Sequence, residues 1–501
     1  MLERLSTLIG SPRRFALIVA AWLIGLAWIR PPAVPDEGRY TDIARWVVLG
    51  GDWLIPRLNG LPFIQKPPLY FWLEATGLAL GNQLGVTGVL VYRWVSLAAA
   101  LTTVYAVYRF VRARRDENAA RWSAIVLVTS PFFFATAQFA SLDMLVSACI
   151  TCTILFAVQA AETRDRAATR WWLAAYAAAA LGVLAKGLIG IVIPGLVFVL
   201  WTLFTRQPRL MLAAIQVRGL LLLILIAAPW FVLVEQRMPG FLRYFFIHNH
   251  FERYAASGFN NPRGVWFYFA LVLGGSLPWA LGLVPAIRSA FSSAFTVTDQ
   301  ARRIALLGLV ASIVVVAFFS VPRSKLPGYV LPSMPALALV LGPWCATWKY
   351  RRPAAIVAML LCVVLIPAAL RASGLDPGRM ASELRMEVAA TDRVVFWTRY
   401  FFSVPLILQR TGPVEVVDDW TAGSAQLPDS WRRELAEGRD FDPARATGVL
   451  VTPEEFAASL VTNPARVWVW LHEEDASAPE LTGFEVAARR GAYVVLRRSA
   501  R

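Results

Sequence analysis

Residues 220–234 read LLLLILIAAPWFVLV, and no charged residue interrupts the chain between Arg218 and Glu235. A helix needs about 20 mainly apolar residues to cross the hydrocarbon core of a membrane. Residues 219–235 are therefore predicted to span a bilayer. With this segment included, about eleven apolar runs approach the required length. They lie at residues 14–30, 87–111, 122–140, 144–161, 171–185, 187–205, 219–235, 265–287, 304–320, 327–347 and 354–371.

One further apolar stretch, at residues 67–81, is interrupted. We interpret it as a helix at the membrane interface or as an additional span. The predicted fold is a mainly α-helical, polytopic transmembrane bundle of about 11–13 spans. The composition agrees, because 57% of the 501 residues are hydrophobic and 16% are charged, whereas a soluble domain has about a quarter charged residues. A soluble enzyme and a disordered basic tail are excluded.

The formal net charge of +16 follows the expected topology. If Arg13 and Arg14 are cytoplasmic, every second connection between spans is cytoplasmic too. These cytoplasmic connections are richer in basic residues for their length than the connections on the other side, as the positive-inside rule requires. Their basic residues are Arg112, Arg114, Arg115, Arg121, Arg164, Arg166, Arg170, Arg206, Arg209, Arg218, Arg288, Arg302, Arg303, Lys349, Arg351 and Arg352. Topology thus explains the charge, and binding to nucleic acid is not expected.

The same topology predicts the domains. Residues 1–371 form the membrane domain, with long extracytoplasmic loops at 31–66 and 236–264. The first span lacks a small-residue cleavage site and is interpreted as a retained signal anchor. Residues 372–501 are predicted to form a small α/β domain, and an odd number of spans places it outside the cytoplasm. Its strands are expected at 393–397, 414–417, 448–451, 466–471 and 492–496, with a helix at 453–460.

The densest polar cluster is PDEGRY at residues 35–40. It is typical of a helix start, since Asp is a good N-cap and acidic residues in a first turn favour the helix dipole; an amphipathic helix is predicted over residues 37–49. The loop continues to QKPP at residues 65–68. Pro67 restricts Lys66 to an extended conformation where the chain re-enters the membrane. The Lys66 ammonium can snorkel to the interface or hold a phosphate at headgroup depth.

Other ionisable residues are expected on the same side of the membrane, where such residues are functional-site hypotheses by default. Carboxylates can orient or deprotonate an acceptor, and Lys and Arg can neutralise a phosphate leaving group. Together with the first loop they are expected to form one pocket. These residues are Asp143, Lys186, His248, His250, Glu252, Arg253, Arg323 and Lys325. The cysteine pair Cys149 and Cys152 lies in an apolar run and is expected to pack as small hydrophobes.

Three strings carry a family resemblance: PDEGRY at 35–40, GDWLIPRLNG at 51–60 and QKPPLYFW at 65–72. They resemble the first extracytoplasmic loop of bacterial polyprenyl-phosphate-sugar transferases. These are the aminoarabinose transferases (ArnT) that modify lipid A and the related dolichyl-phosphate-mannose protein mannosyltransferases. The SLD string ending at Asp143, the turn at Lys186 and RSKLPGYVLP at 323–332 fit the same family.

This resemblance implies a GT-C glycosyltransferase in the bacterial inner membrane, with its site facing the periplasm. The donor would be a sugar on undecaprenyl phosphate, and a periplasmic-side acceptor would attack the anomeric carbon with inversion. The first expectation is transfer of 4-amino-4-deoxy-L-arabinose to lipid A phosphate. The resemblance gives catalytic roles to Asp36 and Asp143. The residues expected to bind the carrier phosphate and the substrate are Lys66, Arg39, Tyr40, Lys186, Arg253, Tyr329, Arg323 and Lys325.

Gln65 departs from the family pattern. Aminoarabinose transferases commonly have Glu at this position, where it forms a metal site with a loop histidine, here His248. A neutral amide is a poor ligand for a transition metal compared with a carboxylate. The departure argues against a divalent metal at Gln65 and His248, and no other cofactor is implied. It also leaves open an ArnT relative with another sugar or acceptor.

Two other functions remain as alternatives. A protein O-mannosyltransferase-like enzyme would modify Ser or Thr hydroxyls. A transporter or flippase of lipid-linked sugars would also explain many spans and interface charges. However, it predicts internal repeats and paired broken helices near the midplane, and the sequence has no such pattern.

Overall fold

The computed structural model describes residues 11–29, 36–86, 88–252, 262–291, 299–373 and 377–500, with the side chains of residues 36, 248–252, 299 and 368–373 outside the description. The chain forms two compact units. We call the first the helical unit; it comprises Met1–Ile29, Gly88–Leu233 and Asn261–Pro367. We call the second the loop–tail unit; it comprises Arg30–Thr87, Val234–Asn260 and Ala368–Arg501.

The described α-helices are numbered in chain order. They are α1 Pro12–Ile24, α2 Asp36–Gly50, α3 Leu69–Leu84, α4 Val89–Arg114, α5 Glu117–Val128, α6 Pro131–Ala137, α7 Leu142–Glu162, α8 Ala167–Lys186, α9 Ile189–Phe204, α10 Arg209–Ala213, α11 Val217–Arg237, α12 Phe267–Gly275, α13 Leu283–Phe291, α14 Asp299–Ser320, α15 Ser333–Cys345, α16 Arg351–Ser373, α17 Gly378–Leu384, α18 Val404–Ile407, α19 Trp431–Phe441, α20 Pro443–Ala446 and α21 Pro453–Thr462. A π-helix follows α11 at Arg243–Glu252, and a 3-10 turn precedes α15 at Pro327–Val330.

Each of the predicted membrane segments is a helix or a helix pair. Within the described ranges, four helices are individually long and apolar enough to cross a membrane, namely α4, α7, α11 and α14 from Gln300. Two predicted spans are bent pairs instead of continuous helices. The α5–α6 pair bends by 70° and the pair Phe267–Gly275 with Trp279–Phe291 by 97°. Each break lies at a proline, Pro131 or Pro278, which has no N–H to continue the helical hydrogen bonds.

The interior of the helical unit depends on small residues where helices approach closely. A β-carbon on Gly190 of α9 would lie 2.5 Å from the carbonyl carbon of Gly182 of α8. Only glycine lets two helix backbones come this near. This close packing fixes the tight turn after α8, where Gly187 adopts a φ of 89°. The turn places Lys186 at the last position of α8.

The tail of the loop–tail unit contains the predicted α/β fold. The strands are numbered in chain order. The first loop contains a hairpin of β1 Arg57–Leu58 and β2 Leu61–Pro62. The strands of the tail are β3 Arg393–Trp397, β4 Glu415–Val417, β5 Leu450–Val451, β6 Val467–His472, β7 Glu485–Arg490 and β8 Tyr493–Arg498. The six-stranded sheet has the order β5-β4-β3-β6-β8-β7. The strands β5, β4, β3 and β6 pair in parallel, whereas β8 and β7 are antiparallel additions.

The first loop packs against this tail domain. The Asn59 side chain donates to the backbone oxygen of Val414 at 2.9 Å and accepts from its N–H at 2.8 Å. In α19, a β-carbon on Gly438 would lie 2.9 Å from the Pro62 carbonyl oxygen. In α2, a β-carbon on Gly38 would lie 3.0 Å from the backbone nitrogen of Ser403. The loop and the tail therefore share one packed body.

Candidate active site

Asp143 forms an ion pair between two helix ends of the helical unit. The Ser141 hydroxyl caps α7 by accepting from the Asp143 N–H at 3.2 Å. Asp143 Oδ1 contacts the Nζ of Lys186 at the end of α8. An acidic residue at a helix start and a basic residue at a helix end both interact favourably with the helix dipoles. The local structure thus favours both charges of the pair.

Tyr329 completes this cluster. The Lys186 Nζ lies 4.4 Å from the centre of the Tyr329 ring, within the range of a cation–π contact. The side chains of Asp143 and Lys186 are 21% and 12% exposed, so the ion pair is mostly buried but still accessible to a ligand. A cation held in this way can present an N–H to an anionic oxygen without first losing a full hydration shell.

Gly328 makes the approach of Asp143 possible. A β-carbon on Gly328 would lie 1.9 Å from Asp143 Oδ2 and 2.4 Å from its Cγ. No alanine fits at this distance without moving the carboxylate. The LPGY part of the family-like string at 326–329 thus has a steric explanation.

Lys325 supports the turn that carries Gly328 and Tyr329. Its side chain is buried, and its Nζ donates to the carbonyl oxygens of Arg263, at 3.0 Å, and Pro322. The Tyr268 hydroxyl donates to the Leu326 carbonyl oxygen at 3.0 Å on the same turn. The Lys325 ammonium is therefore engaged by backbone oxygens. Arg323, two residues earlier, is exposed.

In the loop–tail unit, α2 presents Arg39 and Tyr40 to different partners. Arg39 Nη1 pairs with Glu434 Oε1 of α19, and its guanidinium lies 5.1 Å from the Tyr40 ring centre. The buried Tyr40 ring packs edge-on against Tyr70 of α3, at 5.7 Å between ring centres. The residues that follow the predicted catalytic aspartate are thus fixed by packing and by a charge pair.

Two buried carboxylates, Glu37 of α2 and Glu74 of α3, lie near the contact between these helices. Glu37 and Glu74 are 1% and 0% exposed. The Thr41 hydroxyl donates to Glu74 Oε1 at 2.7 Å. Burial, with a smaller contribution from the charge of Glu37, raises the pKa of Glu74 to about 8. Within the described ranges, α3 is neither among the helices long and apolar enough to cross a membrane nor among the shorter apolar helices. With this pKa, the Glu74 carboxyl group is largely protonated at pH 7.

Gln65, immediately before Lys66, belongs to a hydrogen-bonded cluster on α19. Its Nε2 donates to Glu437 Oε2 at 2.7 Å, and the Tyr244 hydroxyl donates to the same oxygen. Arg433 Nε donates to Glu437 Oε1 at 3.0 Å. We call these four residues the Glu437 cluster. The cluster joins the first loop, the start of the π-helix and the tail.

The predicted site residues thus fall into distinct groups. The structure brings Asp143, Lys186 and Tyr329 together, with Arg323 and Lys325 on the adjoining turn. It holds Arg39, Tyr40, Gln65 and the half-buried Lys66 in the loop–tail unit. The α2 helix begins at Asp36, which agrees with the predicted helix start. The side chains of Asp36 and His248, and all of Arg253, lie outside the described residues.

Three residues of this region were absent from the sequence-based prediction. Arg433, Glu434 and Glu437 are buried on one face of α19, because residues three and four apart lie on the same side of a helix. In sequence, RRELAEGRD at 432–440 resembles an exposed, salt-bridged helix. The only hint was the spacing of Arg433 and Glu437, which suits an i,i+4 pair.

The described residues at and around position 65 do not fit a metal site. The Gln65 amide is oriented as a hydrogen-bond donor, and the Glu437 carboxylate already accepts three hydrogen bonds. Among the described residues, no group of three or more His, Cys, Asp or Glu is arranged to hold a metal ion.

The chain is similar in sequence to known transferases. A family model described as dolichyl-phosphate-mannose-protein mannosyltransferase matches residues 65–232. The undecaprenyl phosphate-alpha-4-amino-4-deoxy-L-arabinose arabinosyl transferase 1 of Pseudomonas fluorescens is 30% identical over 344 residues, covering 66% of this chain and 59% of that protein. The corresponding transferase of Pseudomonas aeruginosa is 31% identical over 311 residues, covering 62% and 55%. The chain thus aligns with less than two thirds of these curated relatives.

The similarity in structure extends further. The crystal structure of ArnT from Cupriavidus metallidurans bound to undecaprenyl phosphate matches with a TM-score of 0.80, at 25% identity and over 96% of both chains. The fold is that of the GT-C class of membrane glycosyltransferases, so the predicted fold class is confirmed. The chain is therefore ArnT-like in sequence and in fold, and its apolar helices make it a multi-pass membrane protein.

Proposed function

We propose that the protein is an inner-membrane glycosyltransferase that moves a sugar from undecaprenyl phosphate to an acceptor on the periplasmic side. The proposed sugar is 4-amino-4-deoxy-L-arabinose and the proposed acceptor is a lipid A phosphate. The observation that carries the proposal is the match, over 96% of both chains, to a transferase crystallised with undecaprenyl phosphate. The names of the curated relatives support the same sugar.

The chemistry requires one bond to form as another breaks. An acceptor oxygen attacks the anomeric carbon, and the bond from that carbon to the phosphate oxygen breaks on the opposite face, which inverts the centre. The leaving undecaprenyl phosphate gains negative charge. Fixed cations at low dielectric stabilise such charge most effectively when they are preorganised.

In the helical unit, Lys186 has the properties of such a cation. Asp143 and the Tyr329 ring hold its ammonium in one position. We assign Lys186 and Tyr329 to substrate binding and Asp143 to the catalytic set. The exposed Arg323 is a further candidate for phosphate contact, whereas the backbone hydrogen bonds of Lys325 favour a supporting role.

In the loop–tail unit, Asp36 is the proposed catalytic residue. A lipid A phosphate is already anionic, so Asp36 would orient and polarise it; a hydroxyl acceptor would instead need Asp36 as a general base. Lys66, together with Arg253, is proposed to bind the carrier phosphate. Arg39 and Tyr40 are proposed to keep the start of α2 in place, which their contacts with Glu434 and Tyr70 support.

The test is a transfer assay with purified protein, undecaprenyl-phosphate-aminoarabinose and lipid A. We expect mass spectrometry to detect lipid A carrying the added sugar, with free undecaprenyl phosphate released in equal amount. The Lys66→Ala protein should give neither product. A donor that stays intact in the presence of lipid A overturns the proposed reaction. In a separate assay with the protein in vesicles, a donor that crosses the bilayer unchanged would indicate a flippase.

A second candidate rests on the family model over residues 65–232, which is described as a protein mannosyltransferase. This function predicts transfer of mannose from a polyprenyl phosphate to Ser or Thr of a peptide. The same assay with a polyprenyl-phosphate mannose donor and a Ser/Thr-rich peptide separates the two candidates. Product formation with the peptide alone would replace lipid A as the acceptor.

A further inference from the structure

The Glu437 cluster contains Gln65, one of the two residues at which the family resemblance implies a metal. Gln65 and Glu437 are 9% and 6% exposed, so their polar groups are almost fully removed from water. Both oxygens of the Glu437 carboxylate accept hydrogen bonds, two at Oε2 and one at Oε1. A buried carboxylate that accepts hydrogen bonds from charged and neutral donors is already satisfied, so it does not require a metal ion as a further partner.

The charges of the cluster also balance. Glu437 contributes one negative charge, and Arg433, four residues earlier on α19, contributes one positive charge at 3.0 Å. Gln65 and Tyr244 add donors without adding charge. A glutamate at position 65 would place a second carboxylate at hydrogen-bond distance from the first, which is unfavourable unless a proton or a cation lies between them.

We propose that a hydrogen-bonded clasp of Gln65, Tyr244, Arg433 and Glu437 replaces a metal bridge in this protein and that Gln65, held by Glu437, is a positioning residue for the adjacent Lys66. This inference rests on the proposed function for the role of Lys66, but not for the clasp itself. The clasp links three segments far apart in sequence, since 372 positions separate Gln65 from Glu437 and 193 separate Tyr244 from Glu437.

The packing around the clasp supports a rigid role. Gly438, next to Glu437, lies so close to the first loop that a β-carbon would be 2.9 Å from Leu61 Cβ. The Tyr244 ring packs edge-on against Phe441 of α19, at 5.6 Å between ring centres. Tight packing on both sides keeps the donors aligned with the carboxylate. Lys66 follows Gln65 directly and precedes Pro67, so the position of the amide restricts where the ammonium can lie.

The key variant is Gln65→Glu, because the clasp predicts that a second carboxylate beside Glu437 destabilises the fold when no metal is present. At pH 8, in detergent with EDTA, we expect its melting temperature to fall by roughly 4–8 °C, from carboxylate repulsion and a lost hydrogen bond. The control is Gln426→Glu, at an exposed position of the tail, which should melt with the native protein. A Gln65→Glu protein as stable as the native one in EDTA overturns the clasp.

The double variant Gln65→Glu with Glu437→Gln tests the direct contact. It exchanges donor and acceptor while keeping a hydrogen bond between positions 65 and 437. We expect it to melt at a higher temperature than Gln65→Glu alone, a coupling that separated residues do not have. Equal or lower stability of the double variant would contradict the contact.

The native protein gives the third measurement. Its melting temperature and transfer rate should be unchanged by EDTA or by added Zn²⁺; an increase in either with Zn²⁺ that EDTA reverses would establish a metal site instead.

The positioning of Lys66 is tested by enzyme kinetics. Gln65→Glu should raise the KM for the polyprenyl-phosphate donor about tenfold or more, with a smaller change in kcat. An unchanged donor KM would remove the link to Lys66. The melting experiments need no activity, so they stand even if the proposed reaction is wrong.

Discussion

The carboxylate of Asp143 lies against the Cα of Gly328, so that a β-carbon on Gly328 would be 1.9 Å from Asp143 Oδ2. Gly328→Ala should therefore push the carboxylate away from Lys186 and lower the transfer rate on the order of 100-fold, as small misplacements in a site do. The control is Gly195→Ala, where nothing lies within 4 Å of the added carbon; it should keep normal activity. A fully active Gly328→Ala protein would mean that the Asp143–Lys186 pair is dispensable.

Asp36→Asn separates a catalytic role from a role in starting α2. Asn is nearly as good as Asp at a helix start, so the fold and the melting temperature should be kept. If the negative charge orients or deprotonates the acceptor, turnover should fall about 100-fold or more. Near-normal transfer by the folded variant would remove Asp36 from the catalytic set and make Asp143 the main candidate.

Lys325→Met tests whether Lys325 supports the turn or binds phosphate. The Lys325 ammonium donates to the carbonyls of Arg263 and Pro322, and losing buried hydrogen bonds costs about 1–3 kcal/mol. We expect the variant to melt several degrees below the native protein. Arg323→Met, at an exposed position on the same turn, should melt normally. An unchanged melting temperature of Lys325→Met with a raised donor KM would favour phosphate binding.

Glu74 should make stability depend on pH. Its pKa is raised to about 8 from an ordinary value of 4.5, so the folded state keeps a proton that the unfolded state releases above pH 4.5. This contribution is complete below pH 4.5 and is lost as the pH rises to about 8, at up to about 1.4 kcal/mol per pH unit. Glu74→Gln should flatten the decline in melting temperature between pH 5 and pH 8. The exposed Glu485→Gln should leave it unchanged, and an equal decline in Glu74→Gln would refute the buried proton.

Fusions test the predicted orientation. Alkaline phosphatase attached after Leu496 should be active and green fluorescent protein at the same place dark, because the tail is predicted to be periplasmic. The reverse pattern is expected after Arg166, in a predicted cytoplasmic connection. A fluorescent fusion after Leu496 would invert the topology and contradict the proposed periplasmic acceptor.

The membrane helices could be predicted because their cause is local. A bilayer requires apolar side chains and internally satisfied backbone groups, and both appear in a single run of residues. The bends at Pro131 and Pro278 were marked by those prolines, although the prediction treated both spans as continuous. In the tail, five strands were predicted near their observed places. The sixth, β7, reads EVAARR and is largely exposed, so it lacks the alternation that identifies a half-buried strand.

In the candidate site, too, some residues could be predicted from the sequence and others could not. Asp143, Lys186 and Tyr329 were chosen from their place beside spans and from the family resemblance, and the structure brings them into contact. Glu434 and Glu437 were missed because their burial depends on residues of the first loop, 395 and 372 positions earlier. A charged helix in isolation resembles a solvated surface, and nothing near it in sequence indicates the partners that cover it.

The pairing of Asn59 with Val414 has a consequence for the order of biosynthesis. The first loop leaves the ribosome early, whereas its partners from Val414 to Gly438 are among the last quarter of the chain to be made. Leu61, 1% exposed in the finished unit and packed against Gly438, has no partner in the tail until that part of the chain has been made. Contacts this distant in sequence form late and slowly. A premature stop anywhere before Val414 would therefore leave a membrane-inserted product whose first-loop hairpin has no tail to pack against, open to chaperones and proteases.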